Sequence, residues 1–146
     1  MKLLRKTVYH ISRLVLAAVF IYAGVVKAND VVDFAGQIAN YQILPYAWNY
    51  LIASILPYLE LLCGILLLLN MRIRPAVLVL FVLNIIFMLA LSSAIIRGLD
   101  IDCGCFKPGA ANPTSPLTAL WRDVGLLVLL VATWVLRDLR HPMEAD

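Results

Sequence analysis

The sequence predicts an all-α integral membrane protein, a four-helix bundle with both termini on the cytoplasmic side. Of its 146 residues, 63% are hydrophobic and 14% are charged, whereas soluble domains are roughly 45–50% apolar and about 25% charged. Four stretches supply the roughly 20 apolar residues that a helix needs to cross the hydrocarbon layer. The basic residues between these stretches are distributed unevenly, which predicts the direction of each span.

The four predicted spans cover residues 8–26, 48–69, 75–96 and 117–136. They are predicted to be helices because a lipid-exposed backbone must satisfy its own hydrogen bonds, and strands of this length and apolarity do not close into a barrel. The length suits one transmembrane domain over residues 1–146. A net charge of +3 is too small to indicate a nucleic-acid partner.

The orientation follows from the lysines and arginines in the flanks of the spans. Residues 27–46 and 97–116 are predicted to be outward loops, whose three basic residues are offset by four aspartates. The protein is therefore expected to be a multi-pass protein of the bacterial inner membrane. Seven basic residues flank the opposite, cytoplasmic end: Lys2, Arg5, Lys6, Arg72, Arg74, Arg137 and Arg140.

A cleaved signal peptide is a competing interpretation of the first span. Residues 1–6 resemble the basic start of a signal peptide, and residues 14–26 resemble its apolar segment. Lys27 before Ala28 makes a poor cleavage site, however, and four spans explain the charge pattern without cleavage.

Ionisable residues within the predicted spans are the first candidate functional groups. A charge at the centre of a span costs roughly 2.5–3.5 kcal/mol, so Arg13, Glu60, Arg122 and Asp123 are expected to face the interior. We expect Glu60 to pair with Arg13 or Arg122, since antiparallel packing brings all three to similar depths. Lys27 shares the helical stripe of Arg13. These charges either hold the bundle together or line a pocket for a polar ligand, such as a quinone head group or a sulfur species.

Cys103 and Cys105 lie one residue apart in the outward loop that follows the third span. The outer side of a bacterial inner membrane is oxidising, so disulfides persist there. A bond between the two cysteines requires their Cα atoms within about 4.4–6.8 Å, and Gly104 permits the sharp turn. So small a ring is strained and closes almost no chain, which favours redox exchange over a structural role.

Metal binding is a further alternative for the two cysteines. Two thiolates can hold Cu(I) or share a zinc ion. Both histidines are predicted to be cytoplasmic, so a partner protein would have to supply the remaining ligands. We therefore assign no metal ligand within the chain, and we interpret the pair as a redox couple.

Five short motifs occur in order along the chain: Phe20–Lys27, Leu56–Glu60, Arg97–Gly98, Cys103–Phe106 and Trp121–Asp123. Together they resemble the MauE/DoxX group of small four-span membrane proteins over most of residues 13–136. The Cys-Gly-Cys-Phe motif favours the MauE-like branch. The resemblance implies a role in maturing disulfide-rich periplasmic proteins, alongside a thioredoxin-like partner. By architecture alone, the chain is also similar to four-helix thiol oxidases that act beside a quinone.

The sequence as a whole predicts a membrane-embedded protein that exchanges electrons with a periplasmic thioredoxin-like partner, and thus a candidate thiol–disulfide oxidoreductase. Cys103 and Cys105 are the predicted reactive groups. The cofactor is not identified, and a quinone is the candidate. Two alternatives stay open: a non-catalytic anchoring subunit of a redox or maturation complex, and a metal or sulfur carrier. The predicted ligand-binding residues are Arg13, Lys27, Glu60, Arg97, Arg122 and Asp123.

Overall fold

A computed structural model describes residues 1–99 and 115–139. Within these ranges the chain is all-α, and the predicted reactive pair, Cys103 and Cys105, lies outside them. The helices are α1 (Lys2–Asn29), α2 (Val31–Asn40), α3 (Tyr46–Leu68), α4 (Ile73–Ile96) and α5 (Pro116–Asp138).

Four of these helices are long and apolar enough to span a membrane, namely α1, α3, α4 and α5. The predicted all-α fold with four spans is therefore confirmed, whereas its orientation stays a prediction. The spans begin and end near the predicted residues, except that α1 extends six residues earlier and three later, from Lys2 to Asn29. Many leucines and valines on the outer surface are exposed, which suits a protein whose solvent is lipid.

The packing of α1 against α3 is the most extensive helix contact and depends on two glycines. A Cβ atom at Gly24 would lie 2.9 Å from the carbonyl oxygen of Pro57, and one at Gly64 would lie 2.8 Å from Ile21. Only glycine leaves room for so close an approach of two helix backbones. The stripes that carry Lys27 and Glu60 therefore meet directly.

Helix α2 lies within residues 27–46, the segment that the sequence predicted to be an outward loop. Asp30 caps this helix, since its side chain accepts a hydrogen bond from the backbone N–H of Asp33 at 3.0 Å. Gln37 donates to the Asp33 carboxylate at 3.0 Å. Phe34 is buried against Ala53 of α3, so α2 packs over the end of the bundle where α1 ends and α3 begins.

The opposite end of the bundle contains the short turn from α3 to α4. Asn70 and Arg72 both have positive φ angles, of 58° and 44°, and asparagine tolerates this left-handed conformation better than most residues. Tyr9 donates from its hydroxyl to Asn70 Oδ1 at 3.3 Å. The N-terminal part of α1 therefore lies beside this turn, at the end where most of the basic residues are found.

Candidate functional site

Lys27 and Glu60 form a buried ion pair between α1 and α3. The ammonium nitrogen donates to both carboxylate oxygens, at 3.1 and 3.0 Å, and each side chain is 3% exposed. Sequence analysis placed Lys27 in an outward loop, but it belongs to the last turn of α1. The expected pairing of Glu60 with Arg13 or Arg122 is wrong, because Glu60 pairs with Lys27. The close approach of α1 and α3 at Gly24 and Gly64 brings Lys27 to the depth of Glu60.

Two aromatic rings complete the surroundings of the ammonium group. Lys27 Nζ lies 5.2 Å from the ring centroid of Phe34 in α2 and 4.9 Å from that of Phe87 in α4. Both distances fall within the range of a cation–π interaction, which strengthens when the cation is desolvated. The charge is thus held by three elements besides its own helix, and the carboxylate and the two rings together form a cage for an ammonium ion.

A second ion pair lies near the start of α5. Arg122 donates to Asp123 Oδ1 from Nε at 3.2 Å and from Nη2 at 3.0 Å. Asn84 of α4 donates to the backbone carbonyl oxygen of Asp123 at 2.9 Å. This amide fixes α4 against α5 at the level of the pair. The four charges of the two ion pairs sum to zero, which lowers the cost of burying them.

The two ion pairs line one common cavity of about 30 Å³. This volume admits on the order of one or two water molecules and is far below the roughly 300–1,000 Å³ of typical ligand pockets. The charged and amide groups that face this space suit water. The lining residues are Phe20, Ala23, Lys27, Glu60, Leu83, Asn84, Phe87, Arg122, Asp123 and Leu126.

Arg13 does not belong to this cluster. It lies 14 residues before Lys27 on α1, which corresponds to about 21 Å along the helix. Its side chain is buried, and its Nε and Nη1 atoms have no hydrogen-bond partner. The single pocket expected from the sequence is therefore divided into a paired cluster around Lys27 and a separate guanidinium near the basic end.

Arg97 also lies apart from the Lys27 cavity, at the C-terminal end of α4. Its Nη2 atom donates to the backbone carbonyl oxygen of Tyr41, just after α2. Tyr41 packs with Leu91 and Ala94 of α4 and with Ala119 of α5. Both boundaries of the segment 100–114, which contains the cysteine pair, are thus anchored to the end of the bundle that α2 covers.

Three residues of the cluster were missed by sequence analysis: Phe34, Asn84 and Phe87. Asn84 could have been predicted from the sequence, because an amide in the middle of an apolar span must find a hydrogen-bond partner in the bundle. The two phenylalanines could not, since aromatic residues are common in the core of any bundle. Cys63 is buried on α3, about one turn from Glu60.

Comparison with known proteins identifies relatives of the chain. The family described as Methylamine utilisation protein MauE matches residues 5–136. The Methylamine utilization protein MauE of Paracoccus denitrificans is 33% identical over 82% of this chain and 64% of its own length. That of Methylophilus methylotrophus is 36% identical over 75% of this chain and 56% of its own length.

The chain spans less than two thirds of the length of these two relatives. No solved structure matches it. The family match nevertheless covers all four spans and both ion pairs of the buried cluster. The chain therefore belongs to the MauE family of membrane proteins.

Proposed function

We propose that this protein exchanges thiols and disulfides with a thioredoxin-like protein at the outer face of a bacterial inner membrane, as part of methylamine utilisation. The Cys103-Gly-Cys105 motif carries the proposal. A disulfide between its two cysteines would close too small a ring to stabilise the fold, which favours redox exchange. The names of the relatives supply the metabolic context. The same chemistry suits a protein that assists the maturation of disulfide-containing enzymes.

The exchange proceeds in two balanced steps. A thiolate of the reduced pair attacks the disulfide of the oxidised pair, which forms a mixed disulfide and releases one thiolate. The remaining thiol of the attacking pair then displaces the second sulfur, so one disulfide forms as the other is cleaved. Two electrons and two protons pass between the proteins, and a second redox couple must then restore the Cys103–Cys105 pair before the next exchange.

The anchored helix ends support this role. Arg97 donates a hydrogen bond to the backbone carbonyl of Tyr41. Leu99 packs against the cluster that contains Tyr41 and Ala119. The residues that flank the segment 100–114 are therefore held at the end of the bundle that α2 covers. The Lys27–Glu60 pair joins α1 to α3 in the same half of the bundle.

Trapping of the mixed disulfide tests the proposal. In Cys103→Ser or Cys105→Ser, the resolving thiol is absent, so we expect one of the two variants to accumulate a covalent adduct. Non-reducing electrophoresis of native membranes, followed by mass spectrometry of the shifted band, identifies the partner. Cys63→Ser is the matched control, because it removes a buried thiol and leaves the pair intact. If neither variant forms an adduct, and the pair keeps one redox state in both oxidant and dithiothreitol, the proposal fails.

A non-catalytic anchoring subunit is the second candidate, and the buried polar contacts between helices favour it. The Lys27–Glu60 pair joins α1 to α3, and the bond from Asn84 to the Asp123 carbonyl joins α4 to α5. An anchor retains its function in a Cys103→Ser/Cys105→Ser double variant, whereas an exchange protein loses it. Complementation of a deletion strain by this double variant distinguishes the two candidates.

A further inference from the structure

An apolar groove lies between α4 and α5, away from the ion-pair cluster. It encloses about 220 Å³, which exceeds the cavity beside Lys27 by a factor of about seven. Leu78 and Val131 are about half-exposed at its surface, so the groove opens toward the lipid. Its walls are Val77, Leu78 and Phe81 on α4, and Leu130, Val131 and Trp134 on α5.

Each wall of the groove leads to an arginine at the same end of the bundle. Arg74 precedes Val77 by three residues, and Arg137 follows Trp134 by three. Residues at this spacing share one helix face. Arg74 Nη2 contacts Asp138 Oδ1 at 3.0 Å, which shows that the two helix ends are adjacent. Arg74 and Arg137 therefore both lie at the end of the groove where α4 begins and α5 ends.

Arg137 has unused hydrogen-bonding capacity. Its Nη1 atom is buried and has no partner. The Arg74–Asp138 pair is about half-exposed, and such surface pairs contribute only about 0–1 kcal/mol, so Arg74 can readily contact another anion. Among the described residues at this end, six basic side chains flank the spans, and Asp138 is the carboxylate that pairs with one of them. The local charge thus favours an anionic ligand.

We propose that this groove binds an anionic phospholipid from the leaflet at the basic end. One acyl chain occupies the apolar channel, and the phosphate oxygens accept hydrogen bonds from Arg137 and Arg74. Basic pockets between membrane helices are known to bind such head groups. An apolar helix from another protein would cover the walls of the groove but would supply no anion to Arg137.

Native mass spectrometry of the detergent-purified protein tests the head-group contact. We expect phosphatidylglycerol to remain bound in preference to phosphatidylcholine with identical acyl chains. Loss of a charge-assisted hydrogen bond costs about 1.5–3 kcal/mol, so Arg137→Gln should weaken phosphatidylglycerol binding by about tenfold or more. Arg5→Gln removes an exposed charge at the same end and serves as the control. Equal binding of both lipids, or equal losses in both variants, overturns the proposal.

The acyl-chain contact needs a separate variant. Val131→Trp fills the groove and should displace the lipid, whereas Leu62→Trp, at a similarly exposed position on α3, should not. Inorganic phosphate distinguishes a lipid from a free anion. If phosphate alone competes fully with phosphatidylglycerol, the site binds free anions and the lipid proposal is wrong. If Val131→Trp instead abolishes a dimer and leaves lipid binding unchanged, a second copy of the chain occupies the groove.

Discussion

Lys27 and Arg13 lie on the same buried face of α1, but they are accommodated in opposite ways. The ammonium of Lys27 contacts a carboxylate and two aromatic rings. The guanidinium of Arg13 has two buried nitrogens without partners. Burial alone therefore does not indicate whether a membrane charge stabilises the fold. The difference depends on which groups the neighbouring helices bring to the same level.

The polar groups near Arg13 bond to one another instead of to its guanidinium. Thr133 of α5 donates to Ser12 at 3.1 Å, and Tyr9 donates to Asn70 at 3.3 Å. Hydroxyl pairs of this kind join membrane helices without any charge. These buried contacts of the basic half are thus neutral hydrogen bonds, whereas the half covered by α2 contains the buried Lys27–Glu60 ion pair.

Replacement of Glu60 should have the largest effect on the free energy of unfolding. Glu60→Leu leaves the Lys27 ammonium buried without its carboxylate, and breaking a buried pair in this way costs about 3–5 kcal/mol. We expect a loss of this size in the free energy of unfolding, measured by denaturant titration in detergent. The double variant Lys27→Met/Glu60→Leu is the control. Because it removes both charges, it should recover most of the loss; an unstable double variant would contradict an ion-pair role.

The helix crossing that unites the ion pair should be the next most sensitive feature. Gly24→Ala places a methyl group within 3.0 Å of backbone atoms of α3, so the helices must separate. Overpacking of this kind costs typically about 1–3 kcal/mol. Gly125→Ala is the matched control, since nothing lies within 4 Å of its added Cβ atom. Thermal unfolding of the two variants compares them directly, and equal midpoints would argue against a tight crossing.

Replacement of Arg13 should have the smallest effect, and in the opposite direction. Arg13→Met keeps an apolar stem of similar length but removes a buried charge that lacks hydrogen-bond partners. We expect the free energy of unfolding to rise by on the order of 1 kcal/mol, since the desolvation cost of the charge is removed. Ser12→Ala, at the neighbouring buried position, should instead destabilise by a similar amount. A marked loss of stability in Arg13→Met would mean that a ligand or partner holds the guanidinium.

The four spans were predictable because long apolar stretches leave few alternatives to membrane helices. Helix α2 was not predicted, although the Asp30 cap and the apolar positions Phe34 and Ile38 encode a short amphipathic helix. Glu60 and Lys27 were each predicted as candidate binding residues from their charge. Helical spacing within one segment, however, does not reveal which residues of two segments are in contact. That information depends on the depth at which Gly24 and Gly64 bring the backbones together.

The separation of Lys27 and Glu60 along the chain bears on how the protein is made. The two residues are 33 positions apart, so a ribosome adding about 5–20 residues per second synthesises the acid roughly two to seven seconds after the base. Lys27 lies in the last turn of α1, where a long side chain can reach the aqueous boundary while it waits. Glu60 lies well inside α3, so its shorter side chain cannot reach the aqueous boundary. The translation order therefore adds the carboxylate to the growing chain only after its ammonium partner.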